Sequence, residues 1–258
     1  MSLFGDYARY YDLLYRDKDY VGETQFIHQL IQTNAPDTTK ILELGCGTGS
    51  HGMLLAKVGY QVHGVDQSLE MLERARERCS QFPQDLATSL QFTPGDIRHI
   101  RLNKKFDLVL SLFHVISYQT TNADLLSAFQ TAKAHLKLGG LFIFDLWYGP
   151  AVLSDRPTVR VKRLEDEAIQ ITRIAEPIMH SNENLVDVNY HIFVRDKQTS
   201  TIEELKEIHQ MRYLFKPELE LLLTQVGLRV LDCREWMTDK ELSFNSWNAY
   251  WMTQALDD

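Results

Sequence analysis

The run Ile41-Leu42-Glu43-Leu44-Gly45-Cys46-Gly47-Thr48-Gly49-Ser50 decides the fold of this chain, and Gly64-Val65-Asp66 answers it downstream. An apolar stretch ends in three closely spaced glycines, and an acid closes the next apolar stretch 21 positions after Gly45. This is the layout of a nucleotide-type site at the top of a parallel sheet. Glycines let the backbone turn sharply and approach a ligand, and the acid receives a ribose hydroxyl pair.

Three ligand classes compete for such a loop. A dinucleotide site reads G-x-G-x-x-G, whereas the spacing here is G-x-G-x-G, with Glu43 two residues ahead. A P-loop needs Gly-Lys-Ser/Thr to grip phosphates, and this loop holds no lysine. The E-x-G-x-G-x-G form, without a phosphate-binding charge, suits a nucleoside ligand that carries no pyrophosphate. S-adenosylmethionine is such a ligand. A glycine-rich strand-to-helix turn that binds nothing fits the same residues.

Composition narrows the field. A chain of 258 residues makes one domain, with room for an elaborated insertion. Hydrophobic content of 44% and charged content of 24% are ordinary for a soluble globular protein. The net charge is −8, the pI is about 5.6, and no long Lys/Arg block occurs, so nucleic acid is not an expected partner. Cys46, Cys79 and Cys233 are odd in number and far apart, which fits neither a disulfide framework nor a metal site. Met1 to Tyr7 lacks the basic region and apolar core of a signal peptide, and no apolar run approaches a membrane span. The expectation is a cytoplasmic protein with no membrane partner and no metal.

The chain alternates strand and helix patterns, as in a parallel α/β sheet. Val21, Phe26, Ile27, Leu30 and Ile31 form a helical stripe. Strands are expected at Ile41–Leu44, Gln61–Val65, Leu90–Phe92, Phe106–Phe113 and Leu141–Leu146, the fourth buried on both faces. Helices are expected at His51–Val58, from an N-cap at Ser68 through Phe82, and at Leu125–Leu136, stopping at Gly139-Gly140. After Pro150 the pattern changes: residues 158–214 alternate as three or four antiparallel strands of a subsidiary sheet. A helix at Pro217–Val226 and strands at Leu228–Cys233 and Asn248–Gln254 complete the chain. The organisation reads as a cofactor-binding half with an N-terminal lid over 1–150, an inserted β unit over 151–214, and the rest of the α/β domain over 215–258.

Chemistry is expected at the strands' carboxyl ends. Asp66 is placed to accept from a ribose diol. Gly95-Asp96-Ile97 offers an acceptor for an adenine amino group and an apolar side chain for its ring, and Met71 could cover the other face. Leu112 and Phe113 end the fourth strand where a sulfonium would lie. His114 and Tyr118 follow it, and Asp145, Trp147 and Tyr148 follow the fifth strand. Tyr7, Tyr10, Tyr11, Tyr15 and Tyr20 form either a lid over a small polar substrate or a packed amphipathic helix. No G-x-S-x-G elbow and no H-E-x-x-H site is present, and Cys46 reads as an apolar filler rather than a nucleophile.

Together, Glu43 to Gly49, Asp66, Gly95-Asp96 and the Phe106-Asp107-Leu108-Val109 strand resemble the signature series of class I S-adenosylmethionine-dependent methyltransferases, across residues 38–147. The resemblance implies a seven-stranded, mostly parallel, doubly wound, Rossmann-like sheet whose last strand runs antiparallel. More finely, Tyr11-Asp12-Leu13-Leu14-Tyr15, Lys18-Asp19-Tyr20, Gly47-Thr48-Gly49-Ser50-His51 and Ser111-Leu112-Phe113 with Tyr118 are similar to bacterial nucleotide-linked amino-sugar N-methyltransferases. Those enzymes also carry a β insertion after the fifth strand, often used for dimerisation.

That likeness implies cofactor contacts from Tyr11, Tyr20, Glu43, Gly45, Cys46, Gly47, Gly49, Asp66, Gln67, Met71, Gly95, Asp96, Ile97, Leu112 and Phe113. It implies acceptor contacts from Tyr15, His114, Tyr118, Asp145, Trp147 and Tyr148, with His114 and Tyr15 nearest the chemistry, and a homodimer through the insertion. The expected reaction is methyl transfer from S-adenosylmethionine to the amine of a nucleotide-linked amino deoxysugar. O-methylation of another metabolite or glycan, and a non-catalytic S-adenosylmethionine-binding regulator, stand as alternatives.

Overall fold

The computed structural model describes Tyr10, Tyr11 and residues 13–256; Tyr7 and Asp12 lie outside the described residues. Helix α1 (Tyr20–Asn34) leads into β1 (Lys40–Leu44), α2 (Ser50–Lys57), β2 (Gln61–Asp66), α3 (Leu69–Ser80), a short α4 (Gln84–Ala87) and β3 (Leu90–Pro94). Next come β4 (Phe106–Ser111), a 3-10 turn (Val115–Tyr118), α5 (Asn122–His135), β5 (Leu136–Tyr148) and α6 (Gly149–Ser154). Four strands follow: β6 (Arg160–Glu165), β7 (Ile169–His180), β8 (Leu185–Asp196) and β9 (Ile202–Leu214). Helix α7 (Lys216–Gln225) and strands β10 (Leu228–Glu235) and β11 (Asn248–Ala255) finish the fold.

Strands β3-β2-β1-β4-β5 lie side by side and parallel. β11 pairs antiparallel with β5, and β10 antiparallel with β11, giving the expected reversed last strand. Successive side chains of a strand point to opposite faces, so neighbouring residues of one strand serve different helices. Ile41, Leu108, Leu110 and Ile143 pack with Ile27 and Ile31 of α1 and Leu55 of α2. Leu42, Val109, Phe142 and Phe144 pack with Leu125, Ala128 and Phe129 of α5. That two-sided burial explains the nearly unbroken apolar runs of β1 and β4.

Some boundaries differ from expectation, each for a physical reason. β4 ends at Ser111 rather than Phe113, because Phe113 and His114 adopt left-handed backbone, with φ of +65° and +62°. Helix α5 stops at His135, ahead of Gly139-Gly140, because buried Leu136 already pairs with Phe106. The glycines then fall inside β5, at a register shift of its ladder with β4. The Ser68 N-cap forms as expected, its hydroxyl accepting from the Met71 N–H at 3.2 Å, but α3 ends at Ser80, short of Phe82.

The residues after Pro150 form four strands, β6 to β9, each antiparallel to the next. β9 also pairs with the end of β5, in parallel, at Trp147↔Tyr213 and Tyr148↔Leu214. The ribbon therefore leaves the main sheet at the carboxyl end of β5, where ligands bind in open α/β sheets. Among the described residues no helix is long and apolar enough to cross a membrane.

Candidate active site

A cavity of about 760 Å³ opens between the carboxyl ends of the parallel strands and one face of the ribbon. The strand ends and the loops after them contribute Gly45, Cys46, Gly47, Asp66, Leu112, Phe113 and His114, and α3 contributes Met71; the ribbon contributes Arg160, Lys162, Arg173, Tyr190 and His209. The volume lies within the range of small-molecule sites.

The glycine loop is fixed from behind. The N–H groups of Gly45 and Cys46 both donate to the Val65 carbonyl, at 2.8 and 3.0 Å. Gly45 and Gly47 have φ of +77° and +52°, the left-handed region that favours glycine. A Cβ on Gly45 would stand 2.5 Å from the Val115 side chain, whereas one on Gly47 would meet nothing within 4 Å. The loop is thus closed against protein at Gly45 and open to the cavity at Gly47. Asp66 Oδ2 accepts from the Gly47 N–H at 2.8 Å, and its Oδ1 from the Ser68 N–H at 2.9 Å. Burial raises the Asp66 carboxyl, and N–H bonds from Ser68, Gly47 and Gln67 oppose that rise. Both oxygens keep lone pairs for a diol.

Burial pushes the Cys46 thiol well up, with Asp66 and Glu43 adding to the effect, so it stays protonated and behaves as an apolar filler. Glu43 does not reach the cavity wall. Its carboxylate is 2% exposed, Oε2 has no hydrogen-bond partner, and Oε1 lies 3.7 Å from His51 Nδ1. Burial, aided by Asp66 and opposed by His51, pushes Glu43 up to about 7. His51 Nε2 meets Glu23 Oε2 at 2.7 Å, and Glu23 Oε1 takes hydrogen bonds from Lys18 and from Trp236. A buried line of charge thus runs from the glycine loop to the N-terminal segment.

At the end of β4 the left-handed turn presents His114 to the cavity. Asp145, 1% exposed on β5, accepts from the His114 backbone N–H at 3.0 Å. His114 Nδ1 lies 2.8 Å from Asp145 Oδ2, although the ring is not aligned for a hydrogen bond. Nδ1 faces the buried acid, which leaves Nε2 as the ring nitrogen able to serve a ligand. Tyr118 is half-buried, and its hydroxyl pairs with His209 Nδ1 at 2.7 Å. Burial, with Tyr15, Tyr190 and Glu207 nearby, raises that phenol well above its ordinary value, so Tyr118 is neutral.

The N-terminal tyrosines divide between packing and lining. Tyr10 is 2% exposed, and its hydroxyl donates to Glu203 of β9 at 2.6 Å. Tyr11, Tyr15 and Tyr20 line the cavity. The Tyr15 ring meets the edge of Phe113 at 5.1 Å between centroids, and its hydroxyl accepts from Arg173 at 3.3 Å.

Several expected site residues stand outside the cavity wall: Glu43, Gly49, Gln67, Gly95, Asp96, Ile97, Asp145 and Tyr148. The Asp96 carboxylate is occupied by Arg98, with Nε at 3.0 Å and Nη2 at 2.6 Å. Ile97 is built into the core beneath α5. Conversely, sequence reading missed Arg160, Lys162, Arg173, Tyr190, His209 and Trp247, which line the cavity. The period-two alternation of Arg160-Val161-Lys162 was the available signal, but only the ribbon's fold shows which face it serves.

The open turn at Gly47, the half-buried Asp66 carboxylate and the apolar wall of Met71, Leu112 and Phe113 fit S-adenosylmethionine. Residues 41–140 match the family described as Methyltransferase domain. Fold, site and comparison agree: the chain belongs to the S-adenosylmethionine-dependent methyltransferases. It is 30% identical over 227 residues to the dTDP-3-amino-3,4,6-trideoxy-alpha-D-glucopyranose N,N-dimethyltransferase of Streptomyces venezuelae, covering 87% of this chain and 91% of that one. Among solved structures, an S-adenosylmethionine-dependent methyltransferase from Clostridium acetobutylicum superposes with a TM-score of 0.80 at 24% identity, covering 98% of both chains. Streptomyces venezuelae DesVI superposes at 0.79, also 24% identical, over 97% of this chain and 98% of that one.

Proposed function

We propose that this methyltransferase acts on the amine of a nucleotide-linked amino deoxysugar. The observation that carries this is the continuity of one cavity from the glycine loop and Asp66, past His114, to the ribbon's polar and aromatic face. The N,N-dimethyltransferase activity of the Streptomyces venezuelae relative supports the same acceptor class.

When bound, S-adenosylmethionine supplies an electrophilic methyl carbon on its sulfonium. The protein supplies alignment, which is worth roughly 7–11 kcal/mol of barrier in well-oriented reactions. Gly47 and Asp66 hold the nucleoside. Leu112 and Phe113 keep water from the reacting end, and Tyr15 borders the same space. A neutral amine is itself the nucleophile, so no strong base is needed. His114, anchored at its backbone N–H by Asp145, positions the amine and takes the proton that the methylated nitrogen releases.

The buried Asp145 behind His114 also supports a second reading, an acceptor hydroxyl, for which a positioned base matters more. Methyl transfer to a panel of nucleotide-linked amino and hydroxy sugars separates the two. Transfer to amino sugars is expected, and transfer to hydroxy sugars alone would reject the amine reading.

A further inference from the structure

The inner face of the ribbon carries a cationic cluster that nothing in the cofactor site requires. Residues two apart on β6 share a face, and the register with β7 sets Lys162 directly opposite Arg173 and Arg160 opposite Ala175. All three cations line the cavity. Like charges directly opposite on a sheet oppose each other, and this chain has a net charge of −8 overall. Burial and the nearby Arg173 lower the Lys162 ammonium, which Asp17 only partly offsets. The wall therefore holds concentrated positive charge turned toward a ligand space.

Two of the three cations are also held in place. Arg173 Nη1 donates to the Tyr15 hydroxyl at 3.3 Å, and its guanidinium lies 4.7 Å from the centre of the Tyr190 ring. Lys162 Nζ donates to the Leu14 carbonyl at 2.5 Å. Tyr15 then reaches Phe113 beside the reacting end, so one aromatic side chain separates the cluster from Phe113.

We propose that Arg160, Lys162 and Arg173 form the subsite for the diphosphate of a nucleotide-linked acceptor. This rests on the acceptor class proposed above and adds where its charge is held. One carboxylate, such as that of the methyl donor, does not call for three cations, whereas a diphosphate presents several oxygens to ammonium and forked guanidinium groups together. The sugar then spans from this cluster past Tyr15 to His114.

The test is calorimetry on the full chain with thymidine diphosphate, thymidine and S-adenosylmethionine as separate ligands. Lys162→Gln and Arg160→Gln are each expected to weaken thymidine diphosphate about tenfold. Lys162→Arg should retain most of the affinity, and the melting temperature monitors folding. S-adenosylmethionine affinity should stay unchanged in every variant. Unchanged thymidine diphosphate binding in the Arg160→Gln/Lys162→Gln double variant would overturn the subsite, as would loss of S-adenosylmethionine binding in its place. If the double variant methylates a nucleotide-linked amino sugar with unaltered KM, the subsite falls while the proposed reaction stands. If the cations govern thymidine diphosphate binding in an enzyme that methylates no amino sugar, the subsite stands and the reaction falls.

Discussion

His51 and Glu23 meet at 2.7 Å, Nε2 to Oε2, in the buried layer beneath the glycine loop. On the other side of the same ring lies Glu43, so one imidazole stands between two carboxylates. Burial alone pushes Glu23 up, but the hydrogen bond and charge of His51, with Lys18, outweigh it and hold Glu23 at about 2. Glu43 moves the other way, up to about 7.

The two acids give opposite pH dependences. Glu23 contributes stability above its unfolded value of 4.5, lost as pH falls toward 2. Glu43 binds its proton more tightly folded than unfolded, so its contribution is full below 4.5 and is lost as pH rises toward 7. Glu43→Gln should remove that second loss, stabilising the protein at pH 7.5 by up to about 3 kcal/mol while changing little at pH 4.5. Paired thermal melts across this range check it; equal or lower stability of the variant at pH 7.5 would contradict the assignment.

Asp66→Ala should weaken S-adenosylmethionine by about 10- to 100-fold, the worth of hydrogen bonds to a charged group. Because Asp66 also anchors the Gly47 and Ser68 N–H groups, the melting temperature must be followed alongside. Retained affinity in a folded variant would remove Asp66 from the ribose role.

Removing the ring at His114 tests the chemical step. His114→Gln is expected to lower kcat about 100-fold, the low end for positioned proton transfer, with S-adenosylmethionine affinity unchanged. Asp145→Asn should lower kcat as well, through a misplaced ring and turn. If His114→Gln keeps kcat within about threefold of the parent, His114 serves the fold alone.

Two glycines a pair apart should respond differently. Gly47→Val forces a branched residue into φ +52° and fills the open space, costing about 1–2 kcal/mol of stability but most of the methyl-donor binding. Gly45→Ala drives a methyl group into Val115 at 2.5 Å, and should lower the melting temperature more than Gly47→Val does. The reverse order of stabilities would mean the loop faces the other way.

The parallel core was legible because its signals are local: apolar runs, glycines at strand ends, and an acid one strand later. Ser68 announced its helix by side-chain chemistry alone. The ribbon wall was not legible in the same way. Lys162 meets Arg173 only through antiparallel pairing, and which alternate set faces inward depends on how the ribbon leaves β5. Asp96 shows the converse: its position after β3 suggests a ligand contact, while its pairing with Arg98, two residues on, is seen only in the fold. Glu43 was singled out from its place before Gly45, yet its pairing with His51 and Glu23 joins segments that no spacing rule connects.

Among the described residues, the ribbon shares just two rungs of strand pairing with the parallel sheet, Trp147 with Tyr213 and Tyr148 with Leu214. The groups that would grip the methyl donor stand on one side of that narrow junction, and the cations proposed for its recipient's diphosphate stand on the other. A lineage could thus exchange the recipient by rewriting ribbon side chains, while the machinery for the donor is inherited unchanged.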